Sequence, residues 1–330
     1  MSIITDTLDG LTLGEPQAYR NLTAFPLLGE ADGPPDYLSL RQALDDGVAE
    51  VREVSESGNV PELLFANRAG QAVLLVDGEE LVGAKQNRVL NLSILVPAKS
   101  ELVIPVSCVE QGRWAHRRRD FEVSADFAFS NLREKKVAAV SRSMRSAGAR
   151  RADQSEVWDE ISELRSAFRA VAPTGAMSDV YESRRRQIED YVEGLPSQGH
   201  QVGALFAING KIAGLDLFGY PETFAEMSGK LVRSYAMDAI RRSGNVARVA
   251  GSEVADAFLE QTRNAKTRSY DAIGEGEDIR IEESSLLGGG LHAREGLLHL
   301  CVFAVQTQET ERDERISSLR ARRAAWRHRQ

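Results

Sequence analysis

Val157, Ile161, Leu164, Phe168 and Val171 step by 4, 3, 4 and 3 through the centre of the chain, whereas both ends are built from short β-branched or aliphatic runs. The central spacing returns an apolar residue to the same face of a 3.6-residue helix at each step. The runs at the ends do not keep that period and read as strands. Strands at both ends with helices between them predict an α+β fold, a mostly antiparallel β-sheet with several amphipathic helices segregated to one side of it. A single domain over residues 13–306, helix-rich at about 130–200, would then follow an N-terminal extension (1–12) and precede an Arg-rich tail (307–330). A division into two domains near residue 150 is the alternative.

The individual elements follow from local signals. Ala49 to Val54, Glu62 to Ala66 and Ala72 to Val76 are separated by Gly, Asn and Pro, and the continuous run Val73-Leu74-Leu75-Val76 suits a strand covered on both faces. Arg88 to Val96 and Leu102 to Val109 form two longer runs around the polar turn Pro97-Ala98-Lys99-Ser100. Asp153 or Ser155 caps the central helix, and a second helix runs from Ser178 to about Glu193 before Gly194 and Pro196. Asn209-Gly210 predicts a hairpin between Val202–Ile208 and Lys211–Phe218, because both turn positions need positive φ. Pro221 opens a helix whose face is Phe224, Met227, Leu231, Tyr235 and Ile240; another spans Ser252 to Asn264. Strands at Ser269–Ile273, Asp278–Glu283 and Leu297–Val305 complete the series. Gly288-Gly289-Gly290 reads as a glycine bend in a strand, since no P-loop Lys-Ser/Thr follows it.

Composition narrows the function classes. A formal charge of −8 over 330 residues argues against a nucleic-acid binder, and the Arg-rich tail lacks aromatic interleaving. No basic segment leads into an apolar run at the N-terminus, and no apolar run approaches the ~18 residues of a membrane span. Cys108 and Cys301 are the two cysteines and read as free thiols in a reducing, cytoplasmic setting. The five His and two Cys show no metal-ligand spacing, so no metal is expected.

The chemistry concentrates around VSCVEQGRW, residues 106–114. Strand alternation puts Gln86, Arg88 and Leu90 on one face of the first long run, and Val106, Cys108 and Glu110 on one face of the second. A three-residue turn would set Arg88 opposite Cys108 and Gln86 opposite Glu110, whereas a five-residue turn would set Arg88 opposite Glu110. Two functional readings follow. Arg88 could hold an anion in its planar fork with Glu110 as general base, or Arg88 and Arg113 could activate Cys108 as a nucleophile. The plain alternative is a buried Arg–Glu pair that locks the strands, with Cys108 as a small core residue. Upstream, Asp77-Gly78-Glu79-Glu80-Leu81-Val82-Gly83-Ala84-Lys85 reads either as a solvated turn or as a loop that brings Glu80 and Lys85 to the same site.

GEELVGAKQNRVLN followed by IPVSCVEQGRW resembles an uncharacterised family named for its gene association with ADP-ribosylglycohydrolases and rhodanese-like phosphatases. Further matching pieces are Ser130-Asn131-Leu132-Arg133, Asp153-Gln154 with Val157-Trp158, QVGALFAINGKIAGLDLFG, and Lys230-Leu231 with Ser234-Tyr235, so the likeness covers about residues 10–306. Ser107 stands where the family often has an aromatic. The resemblance implies an α+β domain with a place in NAD or ADP-ribose metabolism.

The functional expectation is a domain that binds or processes an NAD- or ADP-ribose-like nucleotide, as a hydrolase or transferase if it is an enzyme. Glu80, Glu110, Arg88 and Cys108 are the catalytic candidates, and Lys85, Gln86, Arg113 and Trp114 the ligand-binding ones, Trp114 by stacking on a base. The sequence does not identify a cofactor or an oligomeric state. The competing expectation is a non-catalytic interaction or sensor module in which the same charges form a structural network. Weaker candidates are His299, more simply a satisfied strand residue, Asp216 and Phe218 at a hairpin end, and the basic runs Arg117-Arg118-Arg119 and Arg184-Arg185-Arg186, which read as solvated surface.

Overall fold

The computed structural model describes residues 2–31, 33–55, 58–115, 120–243 and 248–305; the Arg-rich tail and Arg117-Arg118-Arg119 lie outside them. Asn209 and Gly210 take φ of 53° and 83°, and the strands on either side, Gln201–Ile208 and Lys211–Phe218, pair as the turn requires. This hairpin is the centre of a nine-stranded sheet among the described residues. Leu22–Leu28 flanks it on one side, carrying Thr12–Leu13 and Gln17–Tyr19. On the other side follow Gly296–Ala304, Leu286–Ala293, Glu277–Glu282 and Thr267–Asp271, every pairing antiparallel.

Strand Leu286–Ala293 contains the glycine triplet. A Cβ on Gly288 or Gly290 would come within 2.9 or 2.8 Å of a backbone oxygen of the neighbouring strand, and one on Gly289 within 2.8 Å of the Arg280 guanidinium. The triplet is therefore where backbone and a buried arginine approach closely.

Along Gln201–Ile208 the side chains alternate between two cores. Ala204, Phe206 and Ile208 join the larger cluster with helices Ser130–Ala147, Gln154–Phe168, Met177–Glu182, Arg185–Gly194 and Pro221–Arg241. Leu205 and Ala207 face the other way and pack with Ile4 and Leu8 of helix Ile3–Asp9 and with Ala255 and Phe258 of helix Ser252–Arg263. Helices thus cover both faces, which corrects the expectation that they segregate to one side. A sheet whose strands are apolar on both faces needs a cover on each.

A second sheet of six strands runs in the order Phe121–Phe127, Glu79–Gly83, Arg88–Leu90, Ser100–Cys108, Glu62–Asn67, Ala49–Glu53. A third has Ile94–Val96, Ala72–Leu75 and Tyr37–Ser39, the last pair parallel. The long run Arg88 to Val96 is therefore two strands in two sheets, not one arm of a continuous hairpin. The break has a local cause. Pro105 has no N–H to return the bond that Asn91 N makes to its carbonyl (3.2 Å). Asn91 and Ser93 turn to other partners, Ser107 Oγ (2.7 Å) and His299 Nδ1 (2.7 Å). Arg88 nevertheless lies opposite Cys108, the register that a three-residue turn would set.

The segment read as one helix from Ser178 to Glu193 is two, Met177–Glu182 and Arg185–Gly194. Arg184 leaves helical geometry (φ −124°, ψ 7°), and its guanidinium reaches Phe168 O (2.8 Å) and lies 4.8 Å from the Phe168 ring centroid. No helix among the described residues is long and apolar enough to cross a membrane.

Candidate functional site

Strand Ser100–Cys108 ends where the chain turns toward helix Met177–Glu182. Met177 N donates to Val109 O (2.9 Å) and Gly112 N to Thr174 O (2.7 Å). A Cβ on Gly112 would lie 3.0 Å from Thr174 O, so any larger residue would push the Thr174 backbone back by a few tenths of an ångström. The turn drives Glu110 and Arg113 inward, to 0 % and 8 % exposure. Arg113 grips the Glu110 carboxylate with Nε (2.9 Å) and Nη2 (2.7 Å). Its remaining donors go to Ala84 O (2.6 Å), Ala115 O (2.8 Å), Gly83 O (3.1 Å) and Asn87 Oδ1 (3.2 Å). Glu110 also accepts from Thr174 Oγ1 (2.8 Å) and Asn87 N (3.1 Å). Burial alone would raise its pKa, but the Arg113 and Thr174 side chains and the Asn87 amide outweigh it and leave the carboxyl below its ordinary range. The pair is a clamp whose hydrogen bonds are used within the chain.

Beside the clamp, Gln86 Nε2 donates to Glu110 O (2.8 Å), and Gln86 Oε1 accepts from Arg88 Nη1 (3.1 Å) and the Cys108 thiol (3.1 Å). Gln154 brackets Cys108 through both its N–H and its C=O, 2.8 Å each. Burial pushes the Cys108 thiol up despite the nearby Arg88 charge. Arg88 is fully buried; its Nε and Nη2 and both Glu53 oxygens lack hydrogen bonds among the described residues, and the two side chains form a loose ion pair, Nη2 to Oε1 at 4.0 Å. Trp114 is half exposed and places its ring 5.4 Å from Lys85 Nζ and 5.7 Å from Arg88 Cζ. The structure thus brings Gln86, Arg88, Cys108, Glu110 and Arg113 into one contiguous group with Lys85 and Trp114 at its edge.

Glu80 lies on the adjacent strand, opposite Val89, with the Asn87 side chain and the Glu110 charge both acting on it. The segment expected as a turn or loop is strand Glu79–Gly83, and its two carboxylates are buried, not solvated. Glu79 pairs with Lys230 Nζ (2.6 Å). Glu80 has no cationic partner and no close hydrogen bond, and it is pushed up to about 8, chiefly by burial, with Asp126 and Glu110 adding to it and the nearby Ser124 and Asn87 side chains pulling the other way. Opposite it the neighbouring strand bulges. Leu81 pairs with Val123 and Glu79 with Phe127, so Ser124, Ala125 and Asp126 together oppose Glu80. The same three residues line a pocket of about 320 Å3, closed by Ser178, Asp179, Tyr181 and Glu182 and flanked by Arg185 and Arg233. Asn87 links the two regions, since its side chain meets Arg113 and donates to Ser178 Oγ (3.3 Å). Burial also raises Asp126, partly offset by Arg233 at 3.8 Å.

A further set of buried charges went unread as a group. Arg133 grips Asp216 with two nitrogens, and Asp216 also accepts from Tyr235 OH (2.9 Å) and lies 3.7 Å from His299 Nε2. Lys136 pairs with Asp77, whose N–H donates to Ser93 Oγ (2.9 Å). His299 is thus a hydrogen-bonded strand residue, and Asp216 belongs to the interior, not a cleft. The available signal was composition: Arg133, Lys230 and Tyr235 lie within the pieces that carried the family resemblance, at positions where a helix packs on a sheet.

No curated protein and no solved structure matches the chain. The model of the ARPP-1 family, the ARG and Rhodanese-Phosphatase-superfamily-associated Protein domain, matches residues 10–303, and the chain belongs to that family.

Proposed function

We propose that the chain binds and processes an NAD- or ADP-ribose-like nucleotide in the pocket beside Glu80. One observation carries this reading: a fully buried carboxyl with no cationic partner lies behind a strand bulge that lines a pocket. Nothing in the packing of a strand requires a buried acid with no cationic partner, and strongly perturbed carboxyls beside clefts are candidates for acid–base work. At neutral pH Glu80 is protonated, so it serves as the acid, acting from behind the Ser124–Asp126 bulge that separates it from the pocket and that must give way for a leaving group to reach it. Asp126 serves as the complementary base. The acid-rich wall of Asp126, Asp179 and Glu182 suits the hydroxyls of a ribose, and Arg185 and Arg233, paired with the solvent-exposed Glu182 and Glu189, meet phosphate by exchanging those partners.

In this reading Glu110 and Arg113 hold the wall rather than the ligand, since the hydrogen bonds of both are taken within the chain. That geometry favours the structural-network alternative for this pair only. The test is a thermal-shift and calorimetric titration with NAD, ADP-ribose and simple nucleotides, with chromatography of the products. A ligand at a hundred times its dissociation constant adds about 2.7 kcal/mol of stability. Glu80→Gln should keep the fold and lose turnover. No response across the panel at millimolar ligand sinks the proposal.

A further inference from the structure

One face of the large sheet is covered by two short helices, Ile3–Asp9 and Ser252–Arg263, which meet where Thr5 Oγ1 donates to Arg263 O (3.1 Å). Beside that junction they leave an open groove of about 480 Å3, within the roughly 300–1,000 Å3 of ordinary binding pockets. Leu8, Leu11, Leu13, Leu27 and Leu259 line it, and Leu11, Leu13 and Leu259 are only partly buried. These leucines rest on the cluster beneath them and still expose apolar surface to water, which an occupant would remove. Asp256 and Glu260 stand at the rim with Arg263, which donates to Glu260 (2.6 Å) and to Asp9 (2.8 Å). One arginine serves two of these three carboxylates, and Asp6 and Glu253 are exposed on the same helices, so the rim stays acidic. Leucines below and carboxylates around them select an apolar segment that carries cations.

The chain itself contains such a segment. Residues 315–330 hold six arginines and no acid, and Ile316, Leu319 and Trp326 each adjoin an arginine. The last strand delivers the segment to this face: Leu300 and Val302 of Gly296–Ala304 belong to the cluster beneath the groove, and Ala304 packs against it. Leu27 lies in register with Gly203, Leu217 and Leu300. The groove is therefore three strands across and four residues back from Ala304, a distance of about 20 Å. Residues 306–315 reach up to about 33 Å when extended. We propose that the Arg-rich segment 315–330 docks in this groove, its apolar side chains on the leucines and its arginines on the carboxylate rim. The groove shares no residue with the pocket beside Glu80, so the two proposals stand independently.

Trypsin cleavage of the full chain at the arginines of 315–330, followed by mass spectrometry, reads the docking. Each cut should be at least about tenfold slower than in a synthetic peptide of residues 306–330, because cleavage follows the population of the open form. The double variant Asp256→Lys, Ala257→Lys alters two exposed side chains of the groove and leaves the buried face of the helix untouched. It should bring the cleavage rates to within about twofold of the peptide. In chain labelled with fluorotryptophan, the fluorine resonance of Trp326, assigned by Trp326→Phe, should move in the same variant while those of Trp114 and Trp158 hold. The proposal is overturned if the native chain's tail is cut at the peptide rate, or if the double variant changes neither cleavage nor resonance. Protection that grows with protein concentration over about a hundredfold range assigns the groove to the tail of a second copy and overturns docking within one chain.

Discussion

Replacing Glu110 by Gln removes one charge and almost no volume from the clamp at the strand end. In the native chain the carboxylate accepts four hydrogen bonds, from Arg113 Nε and Nη2, Thr174 Oγ1 and Asn87 N, at 2.7 to 3.1 Å. Glutamine offers one oxygen to those donors and turns an NH2 toward the rest. The Arg113 guanidinium, 8 % exposed, then keeps its charge in the interior without a counter-ion. Removing one partner of a buried pair costs about 3–5 kcal/mol. At this chain length about 2 °C of melting temperature accompanies each kcal/mol, so Glu110→Gln should melt roughly 6–10 °C lower at neutral pH. The sign of the pH dependence is set by the depressed carboxyl. Its stabilisation is fully present above the ordinary carboxylate range and is lost as pH falls through the lower folded value, so the gap between variant and native chain should narrow in acid. Differential scanning calorimetry from neutral pH into acid measures both quantities. A variant that melts within about a degree of the native chain at neutral pH, well below the loss a broken buried pair implies, refutes the clamp.

Glu80→Gln should behave in the opposite way. Because the buried carboxyl is raised to about 8, the fold favours its protonated form and loses stability as pH rises from the ordinary carboxylate range toward that value. The amide relieves a cost of about 3 kcal/mol at pH 7 and nothing in acid, so the variant should melt higher than the native chain at neutral to alkaline pH; equal melting at all pH values would contradict the assignment. The two thiols should resist alkylation. Cys108 and Cys301 are buried, burial pushes both up, and Cys301 reaches about 12, so native labelling at neutral pH should be at least about a hundredfold slower than in denaturant. Fast labelling of Cys108 in mass spectrometry would revive its reading as a nucleophile.

The ion pairs of the interior explain why so many charged residues lie at positions that would otherwise be core. Arg133–Asp216, Lys136–Asp77, Lys230–Glu79 and Arg280–Asp278 each join a desolvated cation to its own carboxylate. Pairing of this kind contributes little net stability against apolar side chains, but it penalises any arrangement that separates the partners. Three of the four tie different elements together, so they constrain how helices Ser130–Ala147 and Pro221–Arg241 sit on the sheets.

Local chemistry was legible wherever a short stretch decides its own conformation. Asn209-Gly210 turned as its φ preferences require, Pro221 opened its helix, and Asp153 capped Gln154–Phe168 through its side chain. Alternation also brought Arg88 opposite Cys108 and Gln86 beside Glu110. What the sequence by itself determined was therefore the α+β character, most turns and caps, and the face shared by the motif residues, because these depend on neighbours one to four positions away. Only the tertiary structure decided that Arg88 to Val96 divides between two sheets, that helices lie on both faces, and that Glu79-Glu80 is buried strand rather than solvated turn. It alone also separated the tight pair Glu110–Arg113 from the loose pair Arg88–Glu53 and from Glu80, which has no cationic partner. Hydrogen-bond satisfaction depends on partners 60 or more residues away, such as Thr174 for Glu110, and no local period or spacing encodes which buried charge finds one.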